Sequence, residues 1–189
     1  KMSIHSNAHA LARYSSLAQE SGMVPIVEPE VLMDGDHSAE DCLKKTTEVI
    51  KKCFEELISN NVDLTGIILK PNMILPGNKS NKKINNEEIA KLTLKCLKNS
   101  VPKEVPGIAF LSGGQTEIEA TENLNLINTY NDTNFIMSYS YGRALQQSAI
   151  KFWSKDINNI KDTQKIFNHR ANMCSLASQG KWSKELEAT

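Results

Sequence analysis

The stretch PGIAFLSGGQ, residues 106–115, passes from a continuous apolar run into a glycine-containing turn. The apolar run, residues 106–111, does not alternate polar and apolar positions, which is typical of a strand buried on both faces of a parallel sheet. A helix is predicted to follow at about residues 116–129. The segment is therefore a β/α unit, and it predicts an α/β protein.

The same unit occurs three more times along the chain. We predict strands over residues 23–28, 65–70 and 134–140, helices over residues 38–59, 85–100 and 142–154, a first helix at 4–20 and a last helix at 157–178. Ser38 with Asp41 approximates a capping box, and Asn85 or Asn86 can cap the helix that follows. This order predicts a parallel sheet covered by helices.

The composition disfavours several classes of protein. The 189 residues contain 22 basic and 22 acidic side chains, so the formal net charge is zero. A neutral chain is a poor nonspecific ligand for nucleic acid or for an anionic membrane. No apolar run approaches the roughly 20 residues of a membrane span. The first residues also lack the apolar region of a signal peptide.

The four cysteines form no C-x-x-C pair and all fall in predicted helices. Buried free thiols in a reducing compartment fit that pattern, so we expect a cytoplasmic protein. The length suits a single domain or part of a larger one, and we expect residues 1–189 to lack an internal boundary.

Polar residues recur at the carboxyl ends of the predicted strands. Lys70 lies 42 residues after Glu28, Ser112 lies 42 residues after Lys70, and the fourth strand ends near Ser140. Ligands of parallel α/β folds bind where the carboxyl ends of the strands meet. We therefore expect these side chains to converge on one face of the sheet.

Lys70 closes the apolar strand that ends in IILK. A lysine in this position can reach out to solvent or form an ion pair, and position alone does not distinguish this role from a chemical one. The chemical role is that of a Schiff-base nucleophile. That reaction requires a neutral amine, which apolar strand walls and cationic neighbours favour.

Glu28 and Glu30 flank Pro29 and can serve as an acid/base pair, a metal site or a loop ion pair. Beside a Schiff-base lysine, a glutamate can donate the proton that the departing hydroxyl of a carbinolamine needs. The metal interpretation is disfavoured because the first two histidines are four residues apart without an HEXXH pattern. We expect all four histidines at the surface: His5, His9, His37 and His169.

The pentapeptide LSGGQ also spells the signature of ATP-binding-cassette ATPases. Such an enzyme needs a Walker A loop, G-x-x-x-x-G-K-[ST], in the same domain. The one Gly-Lys pair, Gly180-Lys181, has Ser175 in place of the first glycine and Trp182 in place of serine or threonine. The sequence therefore disfavours nucleotide hydrolysis.

Two glycine-containing loops can be plain turns or phosphate sites. Ser112 and Gly113 follow the third strand, and Ser140, Gly142 and Arg143 follow the fourth. Glycine lets backbone N–H groups approach a phosphate at a helix start, and arginine offers a fork of donors. Phosphate sites recur in the last two strand-to-helix loops of β/α barrels. With a lysine and a glutamate on the preceding strands, the loops predict a phosphorylated carbonyl substrate.

Four motifs, in this order and spacing, resemble class I fructose-1,6-bisphosphate aldolases. They are VPIVEPE at 24–30, IILKPNM at 67–73, GIAFLSGGQ at 107–115 and SYGRALQ at 140–146. LARYSSLAQ at 11–19, DGDH at 34–37 and ANMCSLASQGKW at 171–182 are similar to the family as well. The resemblance implies a (β/α)8 TIM barrel, to which this chain supplies the last four β/α units and a C-terminal helix.

The resemblance also implies roles for the site residues. Lys70 would form the Schiff base with fructose bisphosphate or dihydroxyacetone phosphate, Glu28 would act as acid and base, and Glu30 would belong to the same charge network. The phosphate of the substrate would be held by Ser112, Gly113, Ser140, Gly142 and Arg143. No metal and no cofactor are implied, since the iminium is the electrophile.

The chain departs from the family in extent. The matching begins inside the helix after the family's fourth strand, so we expect a fragment of a longer polypeptide, or a chain that needs a partner half, with little or no activity alone. The alternative is a catalytically incomplete half that acts as a protein-binding scaffold. The resemblance implies a homotetramer and a possible cytoskeletal or adhesin-tail partner, without nucleic-acid binding or membrane insertion.

Overall fold

The computed structural model describes residues 2–188, whose four strands form one parallel sheet in the order β1-β2-β3-β4. The helices and strands are α1 (Met2–Glu20), β1 (Ile26–Val27), α2 (Ala39–Ser59), β2 (Ile68–Leu69), α3 (Asn86–Ser100), β3 (Gly107–Phe110), α4 (Glu117–Thr129), β4 (Ile136–Tyr139), α5 (Arg143–Trp153) and α6 (Ile160–Ala177). Short 3-10 turns lie at Leu64–Gly66 and Lys184–Ala188. The predicted β/α order is thus confirmed, with the arrangement of a partial β/α barrel.

The strands are shorter than the apolar runs predicted. β1 and β2 contain two residues each, where six-residue strands were expected over 23–28 and 65–70. Proline limits the ladder because it has no N–H to donate. Pro25 immediately precedes β1, Pro106 immediately precedes β3, and Pro71 follows β2 after Lys70.

Side-chain caps fix where three of the helices begin. Ser38 and Asp41 form the predicted capping box at α2, and the Asn85 side chain accepts the Glu88 N–H at the start of α3. At α4, Thr116 and Glu119 form a second capping box that the sequence analysis did not anticipate. Each such cap satisfies backbone donors that a helix leaves unpaired, and contributes about 1 kcal/mol.

The hydrophobic core lies between the sheet and the helices. One row of paired residues crosses all four strands, and its members are at most 2% exposed: Val27, Leu69, Ile108 and Met137. Apolar side chains of α2, α3, α4 and α6 pack against this row within one cluster. This single core fastens the helices to one face of the sheet.

The opposite face of the sheet is incompletely covered, which corrects the expectation of burial on both faces. The neighbouring row begins with Ile26 on β1, 46% exposed, and ends with Ile136 on β4, 74% exposed. A closed barrel would cover this inner face with further strands, whereas four strands leave two open edges.

All four cysteines are free and buried, as predicted: Cys42, Cys53, Cys96 and Cys174. His37 and His169 are only half-buried rather than fully at the surface, and His37 Nε2 is a buried atom without a hydrogen-bond partner. None of the described helices is both long enough and apolar enough for a membrane span. Within residues 2–188, no group of three or more His, Cys, Asp or Glu side chains could hold a metal ion.

Candidate active site

A cavity of about 560 Å³ opens at the carboxyl ends of the strands. Glu28 and Glu30 line it from the segment after β1, and Lys70 lines it from the end of β2. The structure therefore brings together the three residues that the sequence analysis assigned to the chemistry.

The same cavity is lined by the two glycine-containing loops. Ser112 and Gly113 reach it from the loop after β3, and Ser140, Gly142 and Arg143 reach it from the loop after β4. All eight site positions named from the sequence thus border one space, although they come from four separate strand ends.

Backbone hydrogen bonds hold the four strand ends side by side. The Lys70 N–H donates to the Val27 carbonyl at 2.7 Å, and the Leu111 N–H donates to the Pro71 carbonyl at 3.1 Å. The Ser140 N–H donates to the Phe110 carbonyl at 2.9 Å. These bonds extend the parallel ladder just beyond each strand, so the loops that carry the site residues start from fixed positions.

Lys70 Nζ lies 3.1 Å from Glu28 Oε1. The lysine side chain is 19% exposed, whereas the glutamate side chain is 45% exposed. Leu69 points into the core, so the alternation of the strand directs Lys70 toward the open face. An ion pair was also the contact expected of a structural lysine, so the pair alone does not assign a reaction.

The LSGGQ segment forms a tight turn closed by Gln115. The Gln115 N–H and its side-chain Nε2 both donate to the Ser112 carbonyl, at 3.1 Å and 2.8 Å. Gly113 and Gly114 have φ values of 55° and 80°, in the left-handed region that favours glycine. A Cβ added at Gly114 would also lie 2.6 Å from Met33 Sδ. The glycines and the glutamine of this motif are therefore accounted for by the turn itself.

The two glycine-containing loops differ in how the helix that follows each of them is capped. The first turn of α4 is occupied by the Thr116–Glu119 capping box. At α5 the N-cap is Gly142, which makes no side-chain cap hydrogen bond, and a Cβ added there would meet nothing within 4 Å. The start of α5 can therefore accept an anion, whereas the loop after β3 can offer its own N–H groups and the Ser112 hydroxyl.

Several site residues were missed by the sequence analysis. Asp34 and Asn78 line the cavity from two loops that are tied together: the Asn78 N–H donates to the Met33 carbonyl at 2.8 Å, and its Oδ1 accepts the Gly35 N–H at 3.2 Å. Gly77 permits this approach, because a Cβ there would lie 2.3 Å from the Gly35 carbonyl oxygen. The DGDH motif contains Asp34 and its neighbour Gly35, but hydrogen bonding between loops leaves no periodic signal in the sequence.

The fold and the cavity define a β/α-barrel type of protein, with a lysine at a strand end beside two glycine-containing loops. The family model "Fructose-bisphosphate aldolase class-I" matches residues 1–189. The chain therefore belongs to the class I fructose-bisphosphate aldolase family.

Named relatives agree with this assignment. The chain is 45% identical over 185 residues to a fructose-bisphosphate aldolase of Dictyostelium discoideum, covering 98% of this chain and 52% of the relative. It is 47% identical over 181 residues to the cytosolic fructose-bisphosphate aldolase 4 of Arabidopsis thaliana, covering 95% of this chain and 46% of the relative.

A solved structure shares the fold. It is the fructose-bisphosphate aldolase of Plasmodium falciparum, in complex with TRAP and a small-molecule inhibitor. The TM-score is 0.94 at 42% identity, covering 97% of this chain and 53% of that one. The chain thus spans about half the length of the relatives it matches, and the matched part is their C-terminal half. Nothing in these comparisons supports the alternative of a scaffold without catalysis.

Proposed function

We propose that residues 1–189 form the lysine-bearing half of a single aldolase barrel domain. The whole enzyme is a lyase that cleaves fructose 1,6-bisphosphate to dihydroxyacetone phosphate and glyceraldehyde 3-phosphate without a metal or an organic cofactor. The observation that carries this proposal is the Lys70 Nζ–Glu28 Oε1 pair at 3.1 Å, inside a cavity that both glycine-containing loops also line. Family membership supports the choice of reaction.

The proposed chemistry begins with attack of the neutral Lys70 amine on the C2 carbonyl of the sugar, which gives a carbinolamine. Glu28, as the neighbouring acid, protonates the departing hydroxyl, so that water leaves and an iminium forms. The Glu28 carboxylate left by that step takes the proton of the C4 hydroxyl, the electron pair of the C3–C4 bond moves into the iminium as that bond breaks, and the aldehyde product is released. Protonation of the resulting enamine and addition of water return dihydroxyacetone phosphate and the free lysine. Glu30 lies on the same segment and contributes negative charge to the same wall of the cavity.

The phosphate of the substrate is assigned to the far wall of the cavity. Arg143 supplies a positive fork there, and the uncapped start of α5 at Gly142 supplies backbone donors. Ser112, Gly113 and Ser140 complete this wall with hydroxyl and N–H groups. The acidic wall at Glu28 and the basic wall at Arg143 would orient the substrate, with its carbonyl carbon directed to Lys70.

Assembly is proposed from the family resemblance, and a partner and a location are proposed with support from the relatives. We assign a homotetramer and a cytosolic location, the latter on the basis of the cytosolic Arabidopsis aldolase. An adhesin-tail partner is proposed from the family resemblance, and the Plasmodium aldolase was itself solved in complex with TRAP. Light scattering of the assembled enzyme tests the tetramer, and cell fractionation tests the location.

The proposed function is tested by trapping the imine. The 189-residue chain is treated with dihydroxyacetone phosphate and borohydride, both alone and after co-expression with the first half of the Dictyostelium relative. Intact mass and peptide mapping then locate the adduct. We expect an adduct on Lys70 in the co-expressed form and little or none in the chain alone.

The matched controls are two lysine variants. Lys70→Arg keeps the positive charge and removes the nucleophile, whereas Lys45→Arg changes a surface lysine that pairs with Glu48 on α2. An adduct that persists in the Lys70→Arg assembly would overturn the assignment of the nucleophile. Absence of any adduct in an assembly shown to be folded would overturn the lyase proposal itself.

A further inference from the structure

We infer that Asn72 is a positioning residue, whose buried amide fixes the Glu28–Glu30 segment relative to Lys70. This inference rests on the proposed function for its catalytic consequence and on hydrogen-bond geometry for its structural part. Asn72 is 5% exposed and does not line the cavity. It therefore acts on the site through other residues and does not contact the substrate.

The segment that carries Glu28 and Glu30 is hydrogen-bonded to the segment that carries Lys70, both before and after the two glutamates. Before the glutamates, the Val27 carbonyl accepts the Lys70 N–H at 2.7 Å. After them, the Val31 N–H donates to Asn72 Oδ1 at 2.9 Å. Residues 28–30 therefore form a short arc, and both ends of the arc are attached to the chain between Lys70 and Asn72.

A side chain is needed at the second attachment because the backbone ladder ends there. Pro29 lies in the middle of the arc and has no N–H to donate toward β2, and the Pro71 carbonyl faces β3, where it accepts the Leu111 N–H. The Asn72 amide oxygen takes the place that a strand carbonyl would otherwise have. With both ends of the arc attached, Glu28 lies beside Lys70 Nζ and Glu30 lines the cavity.

The orientation of the Asn72 amide is determined by its partners. Its Nδ2 donates to Thr46 Oγ1 at 3.2 Å and to the Met73 carbonyl at 3.1 Å. A flipped amide would set its NH2 group against the Val31 N–H and its oxygen against the Met73 carbonyl, so one orientation satisfies all three bonds. Thr46 is 1% exposed on α2, so the anchor of the amide belongs to the core.

Asparagine has the shape and polarity that this position requires. Leucine has nearly the same volume but leaves the part-buried Val31 N–H and the buried Met73 carbonyl without these partners. Aspartate keeps an acceptor for Val31 but turns a second oxygen toward the Met73 carbonyl. We therefore expect both substitutions to release the arc while Lys70 itself remains in place.

Asn72→Leu tests the inference, with Thr93→Val as the matched control. Thr93 is also buried, at 1% exposure, and its Oγ1 accepts the Ile74 N–H at 3.0 Å. The control thus removes a comparable side-chain-to-backbone bond from the segment after β2 without touching the arc. Both variants are made in the co-expressed assembly, and imine trapping with dihydroxyacetone phosphate is followed against pH and against ligand concentration.

We expect Asn72→Leu to slow trapping at least ~10-fold, because a displaced acid no longer reaches the departing hydroxyl. The half-saturating ligand concentration should change less than about 3-fold, since the glycine-containing loops are intact. The trapping rate should also lose the part of its pH dependence that is due to Glu28 as the acid. Thr46→Val, which removes one anchor of the amide, should give a smaller effect of the same kind. Thr93→Val should trap within about 2-fold of the unaltered protein. Equal slowing by Asn72→Leu and Thr93→Val would overturn the inference.

Amide hydrogen exchange separates this inference from the proposed function. In Asn72→Leu we expect faster exchange in the peptide that contains Val31, and in Thr93→Val in the peptide that contains Ile74. This readout does not depend on activity. If the unaltered assembly traps no imine, the lyase proposal fails while exchange still decides the role of Asn72. Unchanged exchange at Val31 in Asn72→Leu would overturn that role.

Discussion

Lys70 Nζ and Glu28 Oε1 lie 3.1 Å apart, although 42 residues separate them in the sequence. Parallel pairing of β1 with β2 accounts for this approach, because it aligns Val27 with Leu69 and so places the next residue of each strand at the same edge. A crossover through α2 is what allows two neighbouring strands to run in the same direction. The distance between the residues is thus a consequence of topology.

Glu28→Gln should slow imine trapping on Lys70 by about 10²- to 10⁴-fold, the usual contribution of a general acid. Glutamine keeps the size of the side chain but cannot give up a proton. Trapping rates with dihydroxyacetone phosphate in the co-expressed assembly measure the effect, and Glu104→Gln, at an exposed position remote from the cavity, is the control. Equal rates for the two variants would remove Glu28 from the mechanism.

Gly114→Ala should destabilise the fold by about 1–3 kcal/mol, because alanine is strained at a φ of 80° and its Cβ would meet Met33 Sδ at 2.6 Å. Gly142→Ala should change the free energy of unfolding by less than about 0.5 kcal/mol, since the added Cβ meets nothing within 4 Å. Urea unfolding of both variants provides the comparison. A similar loss of stability in both would show that these turns are not distinguished by backbone conformation.

Glu187→Ala should cost about 3–5 kcal/mol, because it leaves the buried Arg170 guanidinium without its charged partner. Arg170 Nη2 lies 2.5 Å from Glu187 Oε1, and the side chains are 6% and 15% exposed. Trp182 Nε1 also donates to this oxygen, at 2.7 Å. This contact attaches the segment after α6 to the helix.

A double-mutant cycle measures that coupling. Arg170→Met should cost less than Glu187→Ala, because Trp182 still satisfies the carboxylate, and the double variant should recover part of the loss. The exposed Asp162–Lys165 pair on α6 provides the control cycle and should show little coupling. Strictly additive losses at Arg170 and Glu187 would contradict a stabilising pair.

Cys53 should resist alkylation in the folded protein. Burial raises the pKa of its thiol from 9.0 to about 11, with a further contribution from the nearby Glu56 charge. At about pH 8 this shift lowers the thiolate fraction by roughly 100-fold, and the thiolate is the reactive species. Labelling with iodoacetamide, followed by peptide mass mapping, should modify Cys53 rapidly only after unfolding in urea.

The same thiol predicts how stability depends on alkaline pH. Because the pKa is raised in the folded state, the thiol of the unfolded chain loses its proton first as the pH rises. The contribution of Cys53 to the free energy of unfolding is therefore complete below pH 9 and is lost as the pH rises toward 11. Urea midpoints at about pH 8 and about pH 10.5 should differ less in Cys53→Ala than in the unaltered chain. If the urea midpoint changes equally in both proteins, the alkaline loss of stability belongs to other groups. Among them is the buried Tyr141 hydroxyl, whose pKa burial also raises.

Much of the fold was predictable because β/α units are repeated local patterns. Apolar runs of strand length, followed by capped amphipathic segments, indicated four strands and the helices between them, and the structure contains them in that order. The strands are shorter than the apolar runs because Pro25, Pro71 and Pro106 accept backbone hydrogen bonds but have no N–H to donate to the ladder. Burial of the inner face was also overestimated, as Ile136 shows, because the strands that would cover it are not among these residues.

By itself, the sequence determined the order of the β/α units and the set of polar residues that end the strands. Those properties follow from residue spacing, because the carboxyl ends of parallel strands lie together at one edge of the sheet. Only the tertiary structure decided the roles of Asn72 and Gln115, whose buried amides hold the loops of the cavity in place. A buried amide must be satisfied by whatever donors and acceptors the fold places around it, and those neighbours come from distant parts of the chain.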